Sequence, residues 1–280
     1  MSKRLTLAVI CICAVQCCFG QQTKLIIRVD DMGMSRATNA ACIKSFTEGI
    51  AASVEVMVPT PWFLEAVSML ARHPDFDAGI HLVLTSEWSN LKWRPLTHAP
   101  SLVDSNGYFY PTIWKGSPDF PSLHAHQPNF AEAEQELRRQ IETARRHISR
   151  LSHISTHMGF EHSHPALKEI VERLRQEYHL PISKGSEEID FPAPEEIGSD
   201  QPKERIKAFI RTLSRLEKGK TYLFVCHPAF DADEMESINT PTYPNVRKDR
   251  FADFSLLTSK RVRRALKQND IQLVSVKAAL

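Results

Sequence analysis

Short apolar runs alternate with amphipathic stretches along most of this chain, the pattern of strand–helix units built around a mostly parallel sheet. Residues 25–29 read as a buried strand and 37–48 as a helix closed by Gly49. Residues 53–58 read as a second strand stopped by Pro59, and 62–72 as the helix after it. A strand over 77–84, interrupted by His81, comes next. From residue 129, Phe130, Ala133, Leu137, Ile141, Ala144 and Ile148 recur at intervals of three and four, which marks the apolar face of a long helix with charge on its other side. The remaining pattern predicts a strand over 153–157, a helix over 165–177 with proline in its first turn, and a helix over 205–216. A strand over 222–226, a helix over 256–267 and a closing strand over 271–276 complete it. Six or seven such units suit a barrel-like α/β domain, and a doubly wound open sheet fits nearly as well.

Periodicity fails over 85–128, where Pro95, Pro100, Pro111, Pro118, Pro121 and Pro128 punctuate the chain. A connection of that length inside a domain is usually functional or disordered. Trp88, Trp93 and Trp114 fall in it, together with Tyr108, Phe109 and Tyr110. This long aromatic- and proline-rich insertion either offers a platform for sugar rings or is pinned to the body by those same rings.

Composition adds limits. The 280 residues are 42% hydrophobic and 24% charged, which describes a globular chain, and a formal charge of +2 without like-charge blocks gives no footprint for nucleic acid. Lys3 and Arg4 precede an uncharged run over 5–19, and Cys18 and Gly20 stand three and one residues before Gln21. This predicts a cleaved signal peptide over 1–20, a single domain over 21–280, and a secreted or periplasmic protein. The run of about fifteen residues is shorter than the roughly twenty that cross a bilayer, so no transmembrane segment is expected. Four of the six cysteines fall within 1–20; Cys42 and Cys226 remain, either bridged or, more simply, as two buried thiols.

Chemistry gathers at strand ends. Residues 25–29 run into Asp30 and Asp31, 78–80 into His81, 154–156 into His157, and 222–226 into His227. In α/β proteins the C-terminal ends of parallel strands share one rim. Two neutral imidazoles and a carboxylate form the ligand set of a catalytic divalent metal with positions open for water, whose pKa falls to about 7 in such a site. Side chains alternate along a strand, so the neighbouring acids should diverge, one ligating and the other standing by as general base. Alternatively the pair merely turns the chain, with Ser35 capping the next helix. Arg28 shares strand parity with Asp30, so an ion pair between them is expected. His162 and His164 are candidates for contacts to a substrate, while His124, His126 and His153 read as surface residues. No phosphate-binding glycine loop, Gly-x-Ser-x-Gly elbow or His-Glu-x-x-His helix occurs.

These residues resemble a known family. Residues 27–35 (Ile-Arg-Val-Asp-Asp-Met-Gly-Met-Ser), 79–85 (Gly-Ile-His-Leu-Val-Leu-Thr), 156–159 (Thr-His-Met-Gly) and 226–228 (Cys-His-Pro), in this order, are similar to the YdjC/ChbG family of carbohydrate deacetylases. The resemblance implies a distorted (β/α) barrel that uses a divalent metal, Mg or Zn, to remove acetyl groups from N-acetylated amino sugars. It implies Asp31, His81 and His157 as metal ligands, Asp30 as base and His227 as acid. Arg28, His162, His164, Trp88, Trp93 and Trp114 are then expected on the substrate side. The expected partner is an N-acetylated sugar, with a homodimer allowed and nucleic acid excluded. The sequence departs from the family pattern in two places: Arg28-Val29 stands where Asn-Ala is usual, and Ser155 where an acid is common, which removes a carboxylate from behind the implied metal ligands. Two other classes remain open, a metal-independent glycosidase using Asp30 with a distant acid and a secreted carbohydrate-binding protein without turnover.

Overall fold

Strand β1 (Thr23–Met32) runs through the middle of a parallel sheet, and every residue in it but Lys24 is buried. A strand covered on both faces reads as a near-continuous apolar run, which is why its pattern carries no alternation. On one side β1 pairs with β6 (Thr221–Cys226), and beyond that lies β5 (Ile189–Asp190). On the other side β7 (Ile271–Leu273) takes its first half and β2 (Ser53–Val56) its second, followed by β3 (Asp77–Leu82) and β4 (Ile154–Thr156). This computed structural model describes residues 22–183, 189–190 and 200–280. The leader expected over 1–20 lies outside the described residues.

Between the strands run α1 (Arg36–Thr47), α2 (Phe63–Ala71), α3 (Phe130–His147), α4 (Pro165–Tyr178), α5 (Pro202–Leu213), α6 (Val246–Leu257) and α7 (Lys260–Gln268); α8 (Val276–Ala279) follows β7. The architecture is a single α/β domain with a parallel sheet, consistent with a distorted barrel. Leu25, Ile27 and Val29 pack in one core with Val54, Val56, Ile80 and Leu82. Among the described residues no helix is long and apolar enough to cross a membrane.

Local signals explain most element ends. The Ser35 side chain accepts from Thr38 N and opens α1, and Pro165 opens α4. The helix expected over 256–267 is instead two. Ser259 adopts an extended backbone and accepts from Arg261 N and Val262 N, so it starts α7 rather than continuing α6. The strand expected to reach 276 stops at Leu273, because Ser275 caps α8.

Residues 83–129 join β3 to α3 irregularly, with two short 3-10 turns at Pro100–Leu102 and Leu123–His126. Trp88, Trp93, Leu102, Phe109 and Leu123 lie in the main core, so the segment is pinned by most of its large side chains. Cys42 and Cys226 are free, buried thiols. Because every pairing between these strands is parallel, Asp30 and Asp31 of β1, His81 of β3, His157 after β4 and His227 after β6 reach the same rim.

Candidate metal centre

The carboxylates of Asp30 and Asp31 do not diverge. Asp30 Oδ2 lies 3.8 Å and Asp31 Oδ1 3.7 Å from the same atom, His81 Nε2. The expectation from strand alternation fails because Asp31 takes the left-handed backbone conformation, φ 67°, and the β1–β2 register slips between Val29 and Met32. Asp tolerates that conformation better than most residues. The turn that follows needs Gly33, at φ 109°, where a Cβ would stand 2.7 Å from Thr60 Oγ1 and 2.8 Å from Met57 O.

Each acid is held by an arginine. Arg28 donates through Nε to Asp30 Oδ1 (2.7 Å) and through Nη2 to Oδ2 (2.6 Å), the ion pair expected from their parity. Its Nη1 donates to Ser183 Oγ, so this guanidinium is spent on the protein rather than on a substrate. Arg250 Nη2 donates to Asp31 Oδ2 at 2.6 Å. Burial works to raise both carboxyls, but Arg28 and His81 hold Asp30 below the usual carboxylate range, and Arg250 with His157 holds Asp31 well below it.

The histidines are set in opposite states. Burial pushes His81 down to about 3, and it is neutral. His157 rises to about 10: burial opposes its charge, but Glu87, 3.0 Å from Nε2, and Asp31 Oδ1, 3.5 Å from Nδ1, outweigh it. Without a cation, a proton on His157 is the positive charge facing Asp31 Oδ1, while Arg250 faces Oδ2.

Asp31 Oδ1 is buried and accepts no hydrogen bond. A sealed carboxylate oxygen without a donor is costly, and its nearest polar neighbours are two imidazole nitrogens. One ligand atom each from Asp31, His81 and His157 lie within 4.8 Å of one another. A tetrahedral ion with bonds of about 2.1 Å sets its ligand atoms about 3.4 Å apart. The 3.5 and 3.7 Å separations from Oδ1 are close to this, so the donor set fits a divalent cation.

The triad borders a cavity of about 760 Å³ that also receives Arg28, Asp30, Glu87, Trp88, Tyr243 and His227. The His227 backbone N–H donates to Asp253 Oδ2 (2.7 Å), which anchors the residue just past β6. The remaining expected substrate contacts divide. Trp88 lines the cavity. Trp93 is buried behind it, its indole N–H on Thr85 O and its ring edge-on to His157, and the sugar-platform role does not extend to it. Trp114 is 45% exposed and donates to the carbonyl of Met158, a residue that does line the cavity. His162 and His164 are turned elsewhere: His162 borders a separate cavity beside Glu161, and His164 caps α4 and stacks on Phe130.

His153 is no surface residue. It is buried, with Nε2 2.5 Å from Glu55 Oε1. Nor does His81, a candidate ligand, lack a carboxylate behind it, since its Nδ1 meets Ser155 Oγ at 2.7 Å and Ser155 donates to Glu55 Oε2 at 2.7 Å. Glu55, Glu87 and Arg250 join the site only in the folded chain. A charge inside the apolar run of 53–58 was a usable sign of Glu55. Glu87 lies in an aperiodic stretch and Arg250 stands 219 residues from Asp31, so neither has a local signature.

A family model described as "YdjC-like protein" matches residues 24–268. A Geobacillus stearothermophilus protein called carbohydrate deacetylase is 27% identical over 268 residues, covering 89% of this chain and 95% of that one. A Vibrio cholerae serotype O1 (strain M66-2) protein of the same name is 26% identical over 270 residues, covering 92% and 96%. Among solved structures, one from Enterococcus faecalis V583, provisionally described as a cellobiose-phosphate cleavage protein, superposes with a TM-score of 0.72. It is 23% identical and covers 92% of this chain and 99% of that one, a likeness of fold. With its strand-end acids and histidines inside a match that spans most of its length, the chain belongs to the YdjC-like protein family.

Proposed function

We propose that this chain is a metal-dependent carbohydrate deacetylase, hydrolysing the acetamide of N-acetylated amino sugars to a free amine and acetate. The observation that carries the reading is the buried Asp31 Oδ1, which accepts no hydrogen bond and faces His81 Nε2 and His157 Nδ1 at the wall of a cavity. The names of the curated relatives support the substrate class. Two imidazoles beside one carboxylate favour zinc over magnesium, which prefers oxygen ligands. A divalent cation held there would supply Lewis-acid polarisation of the acyl oxygen and make water more acidic.

The residues of the chain do the rest. Asp30, kept ionised by Arg28, takes the proton from the water that adds to the acyl carbon. Arg250 keeps Asp31 ionised and fixed toward the two imidazoles. His227, which lines the cavity and is anchored just past the end of β6, gives a proton to the departing nitrogen. Trp88 and Tyr243, with ring centroids 6.3 Å apart, provide an apolar wall for the face of a sugar ring. Export directed by residues 1–20 is part of this proposal.

Acetate release from N-acetylglucosamine oligosaccharides, measured with and without chelator, tests it. Turnover should vanish with chelator and return with Zn²⁺. Asp31→Ala should lose both zinc and activity, whereas Asp30→Asn should keep zinc and lose about 10²–10⁴-fold in turnover. Hydrolysis indifferent to chelator, or oligosaccharide binding with no acetate released, would overturn the reading.

A further inference from the structure

A metal-binding histidine needs its second ring nitrogen held, because the hydrogen bond made there decides which nitrogen keeps a lone pair. At His81 that partner is a hydroxyl, Ser155 Oγ, 2.7 Å from Nδ1. A hydroxyl alone leaves the tautomer open, since it donates or accepts as required. Ser155, however, donates its one proton to Glu55 Oε2 at 2.7 Å. Toward His81 it can then only accept, so Nδ1 carries the hydrogen and Nε2, 3.7 Å from Asp31 Oδ1, keeps its lone pair.

We propose that Glu55 is the positioning residue of this metal centre, fixing the tautomer and orientation of His81 through the Ser155 hydroxyl. The proposal rests on the metal-dependent reading above. The carboxylate behind His81 thus comes from β2, two strand pairings from Ser155 of β4, and acts through the serine hydroxyl.

Three observations make the arrangement specific. Glu55 is fully buried on an inner strand, a place where a carboxylate persists only when its partners hold it. Its Oε1 meets His153 Nε2 at 2.5 Å and lies 3.8 Å from Arg28 Nε, the same guanidinium that clamps Asp30, so one acid braces both the ligand and the base. The strand between β2 and β4 leaves room for it: Gly79 is paired with Glu55, and a Cβ there would stand 2.6 Å from Glu55 Oε2 and 2.4 Å from His153 Nε2.

The test is Zn²⁺ affinity of the purified full chain by titration calorimetry, a readout independent of turnover. Glu55→Gln and Ser155→Ala should each weaken Zn²⁺ binding by about 10- to 100-fold. The double variant Glu55→Gln/Ser155→Asp, which puts a carboxylate directly on His81 Nδ1, should recover most of that loss. Ser155→Thr, keeping the hydroxyl, should bind like the parent chain. A merely structural role would predict no recovery in the double variant. Should Glu55→Gln fail to fold, the contrast between Ser155→Ala and Ser155→Thr carries the test. Single variants that bind Zn²⁺ as tightly as the parent, or a double variant no better than Glu55→Gln, overturn this proposal while leaving the metal reading intact. A parent chain that binds no Zn²⁺ overturns both.

Discussion

His81 and His157 face one carboxylate oxygen from opposite protonation states, and this sets the pH response of the cation-free protein. His81, pushed down to about 3, stays neutral in the fold while the unfolded chain takes up a proton near 6.5, so stability falls as pH drops from about 6.5 toward 3. Asp30 and Asp31 steepen that limb: their contribution is present above the unfolded value of about 3.9 and is lost as pH falls through their depressed values. His157 acts on the other side. Raised to about 10, it contributes fully below about 6.5, and that contribution is lost as pH rises through about 10. Thermal midpoints of chelated protein should therefore peak near pH 6.5, and a midpoint that keeps climbing on the alkaline side would contradict the state assigned to His157. The ligands themselves were legible because each ends an apolar run; their supports were not, because Glu87 and Arg250 reach them only across the folded chain.

At the scale of elements, the β2–β3–β4 pairing holds a polar group inside an otherwise apolar sheet, and Gly79 is the element of backbone that permits it. Gly79→Ala should destabilise the chain by about 1–3 kcal/mol, since the new methyl meets two packed, hydrogen-bonded side chains. Chemical denaturation compared with a Gly→Ala change outside the sheet, such as Gly107→Ala where φ is 78°, separates crowding from backbone strain. A neutral Gly79→Ala would show that Glu55 and His153 are free to move. Elements are legible in the sequence where a period or a cap is local, as at α3 and α4. They are not where one serine decides the outcome, as at Ser259, whose hydroxyl competes with helix continuation.

For the whole molecule, a cation held by the candidate triad would be a ligand of the folded chain alone, because Asp31, His81 and His157 come from β1, β3 and the residue after β4. Binding to the native state alone stabilises by about 2.7 kcal/mol at a hundredfold excess over Kd, which for a chain of this size raises Tm by roughly 5–10 °C. Scanning fluorimetry with Zn²⁺ should show that rise in the parent chain and none in Asp31→Ala; an equal rise in both would place the ion elsewhere.

The order of residues determined the parallel α/β class and the identity of Asp30, Asp31, His81, His157 and His227 as strand-end groups, because periodicity and strand termination are local properties written along the chain. Tertiary structure decided how those groups meet. The left-handed turn at Asp31 brings two acids to one imidazole, Arg28 and Arg250 choose which acid each will hold, and Glu55 reaches His81 only through a serine on another strand. Contacts between residues tens to hundreds of positions apart depend on register and backbone path, and neither is a property of any one segment.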